Sequence, residues 1–291
     1  MVIRGILDYT ESPFELILVY DGCTDNSEKI VNREIKFKKG SMKKLKVLYT
    51  PDVYEVKANN AGMKTAIGSY FIIIQDDQII YERGWEKRLT YPMEVYNNVF
   101  AVSARAAHDN VKAKKGLKYL NLVDNRINKY VSRNTFFIRD SCNRGPLALR
   151  ADMIKKLNYL DEEYAPQQWD DIDLCYKAYK KYGLLAGLYP IKFESKPEWG
   201  TSRKNSKSRE IHFKQFWKNA DLIYKKHKDL IDGEKHTENR NLIYPDENYN
   251  FFNETKRKLL YSLVQANFQF GRVIKRLSRL VKNGPAVFKK S

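Results

Sequence analysis

The sequence predicts an α/β fold: a mainly parallel sheet flanked by helices, followed by a helical C-terminal extension. Three observations carry this reading. Near-continuous apolar runs, "FELILVYDG" at 14–22 and "SYFIII" at 69–74, read as strands buried on both faces. They alternate with amphipathic stretches of helical period, the pattern of βα units. Acidic residues close the runs, at the strand ends where open parallel sheets bind ligands.

Taken in order, "MVIRGILDYTESPF" reads as the end of a helix leading into the strand "FELILVYDG". In "CTDNSEKIVNREIKFK", Thr24, Asp25, Asn26 or Ser27 suits a helix cap, and Ile30, Val31 and Ile35 form an apolar stripe. "LKVLYT" (45–50) is a short strand closed by Pro51, and "VKANNAGMKTAIG" (56–68) is a helix stopped by Gly68. "SYFIII" and "VFAVSAR" (99–105) give two more strands. Residues 106–145 are polar and show no clear period. "PLALR" then reads as a strand, "ADMIKKLNYL" as a short helix, and "DIDLCYKAYKKYG" (171–183) as a helix with Leu174, Cys175 and Ala178 on one face. From about residue 212 helical patterns dominate.

Composition narrows the function classes. The chain has 291 residues, with 43% apolar content and a net charge of +18. Its three cysteines, Cys23, Cys142 and Cys175, lie far apart without metal-ligand spacing, which argues against a disulfide framework or zinc site. No apolar run is long enough to span a bilayer, and the N-terminus lacks a signal-peptide layout. The positive charge calls for an anionic partner, and a nucleotide, a nucleic acid or an anionic membrane all qualify.

The most informative stretch is "GSYFIIIQDDQII", residues 68–80, where Asp76 and Asp77 interrupt an apolar run that resumes at Ile79. A burying environment makes an unpaired carboxylate costly, so something compensates the pair. A solvated turn, an acid/base pair or a hard-cation site each fit two carboxylates at a strand end. The apolar residues on both sides favour a tight, partly buried turn.

"ELILVYDGCTDNS", "NNAGMKTAIGSYFIIIQDDQI" and "RGPLALRADMIKKLNYLDEEYAPQQWDDIDLCYKAYKKYG" occur in this order, and together they resemble family 2 glycosyltransferases of the GT-A (Rossmann-like) fold. The resemblance covers roughly residues 1–215. It implies a nucleotide half at about 1–105, an acceptor half at about 140–215, and an extension over 216–291. It further implies that Asp21 contacts the nucleobase, Asp76 the ribose, and Asp77 a divalent cation, manganese or magnesium. Lys57, before the Asn-x-Gly helix, falls where a basic residue reaches the nucleotide. Asp171 matches the catalytic base of an inverting transfer, beside Asp170 in the place of the family's usual glutamate. The donor implied is a nucleotide-sugar, UDP-sugar first. The acceptor is a hydroxyl of a glycan, a lipid-linked chain or a protein. Trp169 falls where its ring can stack on a sugar.

The chain departs from the family in two places. The family's opening strand is not found before 14–22, and "YPIKFESKPEWG" has no histidine where one often follows the acidic helix. Residues 195–210 are basic and carry Trp199 and Gly200, which suits a lid over a nucleotide. Residues 254–291 hold ten Lys/Arg against one acid, with apolar residues at helical spacing. That pattern suits the surface of an anionic membrane and a cytoplasmic protein placed peripherally on its inner face. Two rival classes share some features. A metal-dependent nucleotidyltransferase has similar carboxylate chemistry, and a basic nucleic-acid-binding protein would explain the charge.

Overall fold

The computed structural model describes residues 1–114, 116–126, 133–195, 206–233 and 241–243. The basic tail 254–291 and most of the expected lid, 196–205, lie outside the described residues. The chain runs α1 (Val2–Tyr9), β1 (Phe14–Asp21), α2 (Ser27–Phe37), β2 (Met42–Thr50), α3 (Tyr54–Thr65), β3 (Tyr70–Ile73), β4 (Gln78–Ile80), α4 (Trp85–Val95) and β5 (Val99–Ser103). It continues through β6 (Ala106–Ala113), β7 (Gly116–Asp124), β8 (Thr135–Arg139), β9 (Ser141–Asn143), β10 (Leu147–Arg150), α5 (Ala151–Lys156), α6 (Asp170–Tyr182), β11 (Leu185–Leu188), β12 (Phe193–Ser195), α7 (Ser206–Asp232) and β13 (Asn241–Ile243). The α/β class and the expected elements are present, and α7 runs across residue 215, the expected domain boundary.

The main sheet has strand order β13-β8-β11-β5-β10-β3. It is mixed rather than mainly parallel. β11 runs parallel to β5, but β10 runs antiparallel to both β5 and β3. The cause is the route between β5 and β10. Among the described residues no crossover helix intervenes there; the chain passes through the ribbon β7-β6-β9 and through β8, and enters β10 from the opposite end. The ribbon and β8 both fall within the polar region 106–145. Its period was hidden because His108, Asp109 and Asn110 are polar yet fully buried.

Helices cover both faces of the main sheet, which explains the unbroken apolar runs. Phe71 and Ile73 of β3 and Leu147 and Leu149 of β10 meet Val56 and Met63 of α3, Ile154 of α5, and Leu174, Cys175 and Ala178 of α6. On the other face Ala148 of β10, with Val99 and Val102 of β5, meets Trp85, Leu89 and Met93 of α4. Ile172 and Tyr176, on another side of α6, pack on Ala220 and Ile223 of α7. Among the described residues no helix is long and apolar enough to cross a membrane.

β1 and β2 form a separate parallel pair. Among the described residues β1 pairs only with β2, and β3 only with β10. A cavity of about 1590 Å³ separates them, lined by all of β1 and all of β3 and running on to the ends of both strands. The strand that the family resemblance leads one to expect is not among those described, and the two edges face each other across this space.

Asn60 ties α3 to the loop before α6. It is buried; its Nδ2 donates to the Leu160 carbonyl (2.9 Å) and its Oδ1 accepts from the Leu160 amide (3.0 Å). Asn60→Ala would strand both backbone groups in the interior. We expect a loss of about 2–3 kcal/mol, read from the urea midpoint at constant m-value. A loss below about 1 kcal/mol would mean that water replaces the amide.

Candidate active site

The stretch 75–78 forms a closed turn. The Gln78 amide donates to the Gln75 carbonyl (3.2 Å), the Gln75 amide donates to Gln78 Oε1 (3.0 Å), and Gln78 Nε2 donates to Gln75 Oε1 (2.8 Å). The two glutamines therefore clasp each other and hold Asp76 and Asp77 at the tip. β4 then turns inward, with Ile79 and Ile80 buried. It pairs with β12 so that Ser195 stands opposite Gln78, and Ser195 Oγ donates to Asp77 Oδ2 (3.3 Å). Asp77 Oδ1 is buried and has no hydrogen-bond partner.

Asp21 closes β1 beside Gly22, whose φ of +59° places it 2.7 Å from the Asp52 Cβ when a side chain is built on it. Only glycine fits that turn. Asp21 Oδ1 accepts from Thr50 Oγ1 and from the Val53 amide, and Oδ2 accepts from the Tyr54 amide, all at 2.7 Å. It thus satisfies the first amides of α3 and keeps one lone-pair site open.

On the other side of the cavity, Arg144 gathers the acids. Its guanidinium grips Asp170 with both terminal nitrogens, one at 2.7 Å, and its Nε lies 3.2 Å from Glu55 Oε1. Its backbone amide donates to Asp171 Oδ2 (2.9 Å), and the Ile172 amide donates to Asp171 Oδ1 (2.9 Å). Gln75 Nε2 donates to the same Glu55 Oε1. A continuous polar chain therefore links the Asp76–Asp77 turn to the start of α6. Burial would lower the Arg144 pKa, but Asp170, Glu55 and Asp171 outweigh it and raise it. Burial pushes the Asp170 carboxyl up to about 6, opposed by Arg144 and helped by the charge of Asp171. One guanidinium faces three carboxylates, so a raised acid among them is expected.

Asp21, Asp76, Asp77 and Asp171 all line the one cavity, with Tyr54, Glu55, Arg105 and Arg144. Two expected site residues do not. Lys57 is exposed on α3 and Asp170 is fully buried behind Arg144; neither lines the cavity. Arg144 connects Asp170 to the wall, contacting both it and Asp171. Trp169 is also buried, at 3% exposure, between Tyr119 and Phe216 (ring centroids 6.1 and 5.1 Å away). Sequence reasoning missed Arg144, Glu55 and Tyr119. The one available signal was Asp170 itself, an acid opening an apolar helix face, which needs a cation from elsewhere in the chain.

Among the described residues no three His, Cys, Asp or Glu side chains gather into a metal site. At the tip of the 75–78 turn, Asp77 Oδ1 is an orphaned carboxylate oxygen. One carboxylate oxygen is a sufficient protein contribution for magnesium or manganese when substrate phosphates complete the shell.

The family model described as Glycosyl transferase family 2 matches residues 2–157, more than half of the chain. An uncharacterized glycosyltransferase of Haemophilus influenzae is 31% identical over 93 residues, 32% of this chain and 36% of that protein. The crystal structure of S. aureus TarS 1-349 in complex with UDP-GlcNAc matches with a TM-score of 0.51 at 17% identity, over 79% of this chain and 65% of that one. That of GalNAc-T7 with UDP, GalNAc and Mn2+ gives 0.49 at 12% identity, over 79% of this chain and 48% of that one. The chain therefore spans about a third of the curated relative and less than two thirds of the solved chains. The likeness to TarS is one of fold, the GT-A type.

A carboxyl whose folded pKa lies above its unfolded value binds a proton on folding. Its contribution to stability is full below the ordinary carboxylate range and is lost as the pH rises through about 6. The unfolding free energy of the unmodified chain, relative to Asp170→Asn, should therefore fall between about pH 4 and pH 6 and level off above. Urea titrations across that range check it, and a constant difference would reject the raised pKa.

Proposed function

This chain belongs to glycosyl transferase family 2, and from that premise we propose that it moves a sugar from a nucleotide-sugar, UDP-sugar first, to an acceptor hydroxyl with inversion. The observation that carries the reading is the meeting of Asp77 and Asp171, from opposite halves of the chain, in one cavity with Asp21 and Asp76. Family membership favours sugar transfer over nucleotidyl transfer.

In this reading the nucleobase lies toward Asp21, whose three accepted hydrogen bonds fix it at the strand end. Asp76 faces the ribose. The diphosphate lies toward Asp77, whose unpartnered oxygen would hold a divalent cation. Bound there, a manganese or magnesium ion would offset the negative charge that builds on the departing diphosphate. Lys57, outside the cavity wall, has no part in this arrangement.

Asp171 is the general base. The amides of Arg144 and Ile172 fix its two oxygens and leave lone pairs for the incoming proton. As the acceptor oxygen bonds to the anomeric carbon, its proton passes to Asp171 and the bond from that carbon to the diphosphate breaks. Attack from the side opposite the leaving group inverts the centre. Asp170 keeps Arg144 in place and so keeps the Asp171 carboxylate aimed.

Two substitutions test the roles. Asp77→Asn removes charge at constant shape and should abolish the manganese dependence of UDP binding in calorimetry while the melting temperature holds. Unchanged manganese-dependent affinity would reject the cation seat. Asp171→Asn should leave UDP affinity near that of the unmodified chain and cut turnover of the donor by on the order of 10²–10⁴, the range for a lost general base. Near-normal turnover in Asp171→Asn, with that loss in Asp170→Asn, would move the base to Asp170.

A further inference from the structure

We propose that Trp169 recognises the acceptor. Its indole N–H donates to a hydroxyl of a pyranose lying against the rings of Tyr119 and Phe216, beside Asp171. The acceptor is thus a glycan hydroxyl rather than a protein side chain or a lipid alcohol. The inference rests on the sugar-transfer reading above and names the acceptor class for that site.

Four observations lead here. Trp169 Nε1 is buried and has no hydrogen-bond partner, and the residue lines the same cavity as Asp171. A buried indole N–H ordinarily finds an acceptor, so an orphaned one in a site wall marks a place for a ligand oxygen. Second, the backbone is held in an unfavourable conformation to put it there. Gln168 and Trp169 have φ of +78° and +70°, in the left-handed region that large side chains avoid. Third, α7 enforces that conformation. Asn219, fully buried, directs its Nδ2 at the carbonyls of Tyr164 (2.9 Å), Gln167 (3.0 Å) and Gln168 (3.0 Å). Trp169 also packs in the cluster of Tyr164, Ile172, Tyr176 and Ala220, so this backbone seats one ring in the core and in the cavity wall at once.

The fourth observation is the wall itself. Tyr119 stacks on His108 with ring centroids 4.0 Å apart, yet it remains 38% exposed, so one face is covered and another is open. Burial lowers the His108 pKa to about 4, so that ring stays neutral and adds no charge behind the wall. Tyr119, Phe216 and Trp169 therefore give apolar area with the orphaned indole N–H as a directional donor and the Tyr119 hydroxyl as a second polar group. A pyranose has the matching chemistry: an apolar face of C–H groups and hydroxyls at its rim. An extended lipid chain would leave the donor unsatisfied.

The test uses the full chain labelled with 15N at the tryptophan indoles. The Trp169 signal is the one absent from Trp169→Phe. With UDP and manganese present, methyl glycosides of glucose, galactose, N-acetylglucosamine and N-acetylgalactosamine are titrated in turn. At least one should move the Trp169 signal and bind about tenfold more weakly to Trp169→Phe, the cost of one lost hydrogen bond. Tyr119→Ala, at an exposed position, should weaken the same glycoside while the melting temperature holds. UDP affinity should be unchanged in both variants, which separates this result from failure of the sugar-transfer reading, where UDP itself does not bind. The proposal is overturned if none of the four glycosides moves the signal. It is equally overturned if Trp169→Phe binds the glycoside as tightly as the unmodified chain, or if only a serine peptide or a polyprenyl phosphate moves the signal.

Discussion

One buried cation organises the site. Arg144 makes a two-pronged contact to Asp170, an ion pair to Glu55, and a backbone hydrogen bond to Asp171. These acids come from the N-terminal turns of α3 and α6, while Arg144 sits in the turn between β9 and β10. Three elements distant in sequence are thus pinned at one point. A pair buried this deeply stabilises little in itself, because desolvation offsets most of the attraction. What it fixes is geometry: with the guanidinium held, the amide of the same residue stays aimed at Asp171. The short glutamate-to-aspartate change at 170 fits this role. Asp170 meets Arg144 at close range and does not reach the cavity.

The second constraint is the divided sheet. β1 and β2 carry Asp21 but share no ladder with the sheet that leads to Asp76 and Asp77. Their position relative to each other depends on side chains at the ends. Glu15 of β1 accepts from the amides of Ile67 and Gly68 just before β3 (2.5 and 3.0 Å). Glu86 of α4 accepts from the amides of Glu11 and Ser12 just before β1 (3.1 and 2.8 Å). Asp21 itself braces the start of α3, which packs across β1. A ladder would distribute that restraint over a whole strand; here a few carboxylates carry it. Open edges on both sides of the cavity also leave backbone groups to water, a weaker arrangement than paired strands.

The sequence made the acids legible because a charge among apolar residues is a local signal. Asp76 and Asp77 stand out that way, Asp21 at a strand end and Asp171 through the family resemblance, and all four line one cavity. Lys57 could not be placed, because one exposed lysine on a helix differs from another only by the angle at which the helix docks. Arg144 was invisible for the opposite reason: its importance lies in contacts 26 and 89 residues away, which no periodicity encodes. The mixed sheet and the ribbon β7-β6-β9 escaped for a third reason. His108, Asp109, Asn110 and Ser141 bond inside the protein: Ser141 Oγ donates to the His108 carbonyl, Asp109 Oδ1 accepts from the Asp140 amide, and Asn110 Nδ2 donates to Tyr176 Oη at 2.8 Å. A strand whose polar residues pair internally reads in sequence like a solvated loop.

The charge distribution explains why the proposed chemistry needs a cation. The whole chain carries +18, so its long-range field draws an anionic donor toward it. Inside the cavity the balance reverses. Asp21, Glu55, Asp76, Asp77 and Asp171 line it, and of its cations Arg144 is already committed to Asp170 and Glu55. A diphosphate brought among these acids meets repulsion that grows as the dielectric falls. It also meets more charge as the sugar leaves. The wall also carries Arg105, which like Gln78 packs beside Gly145, and Lys43, Lys44 and Lys87. In the proposed reaction, a cation arriving with the donor would add to these side chains in offsetting the diphosphate charge. On that reading the orphaned oxygen of Asp77, at the tip of a turn clasped by Gln75 and Gln78, would receive it.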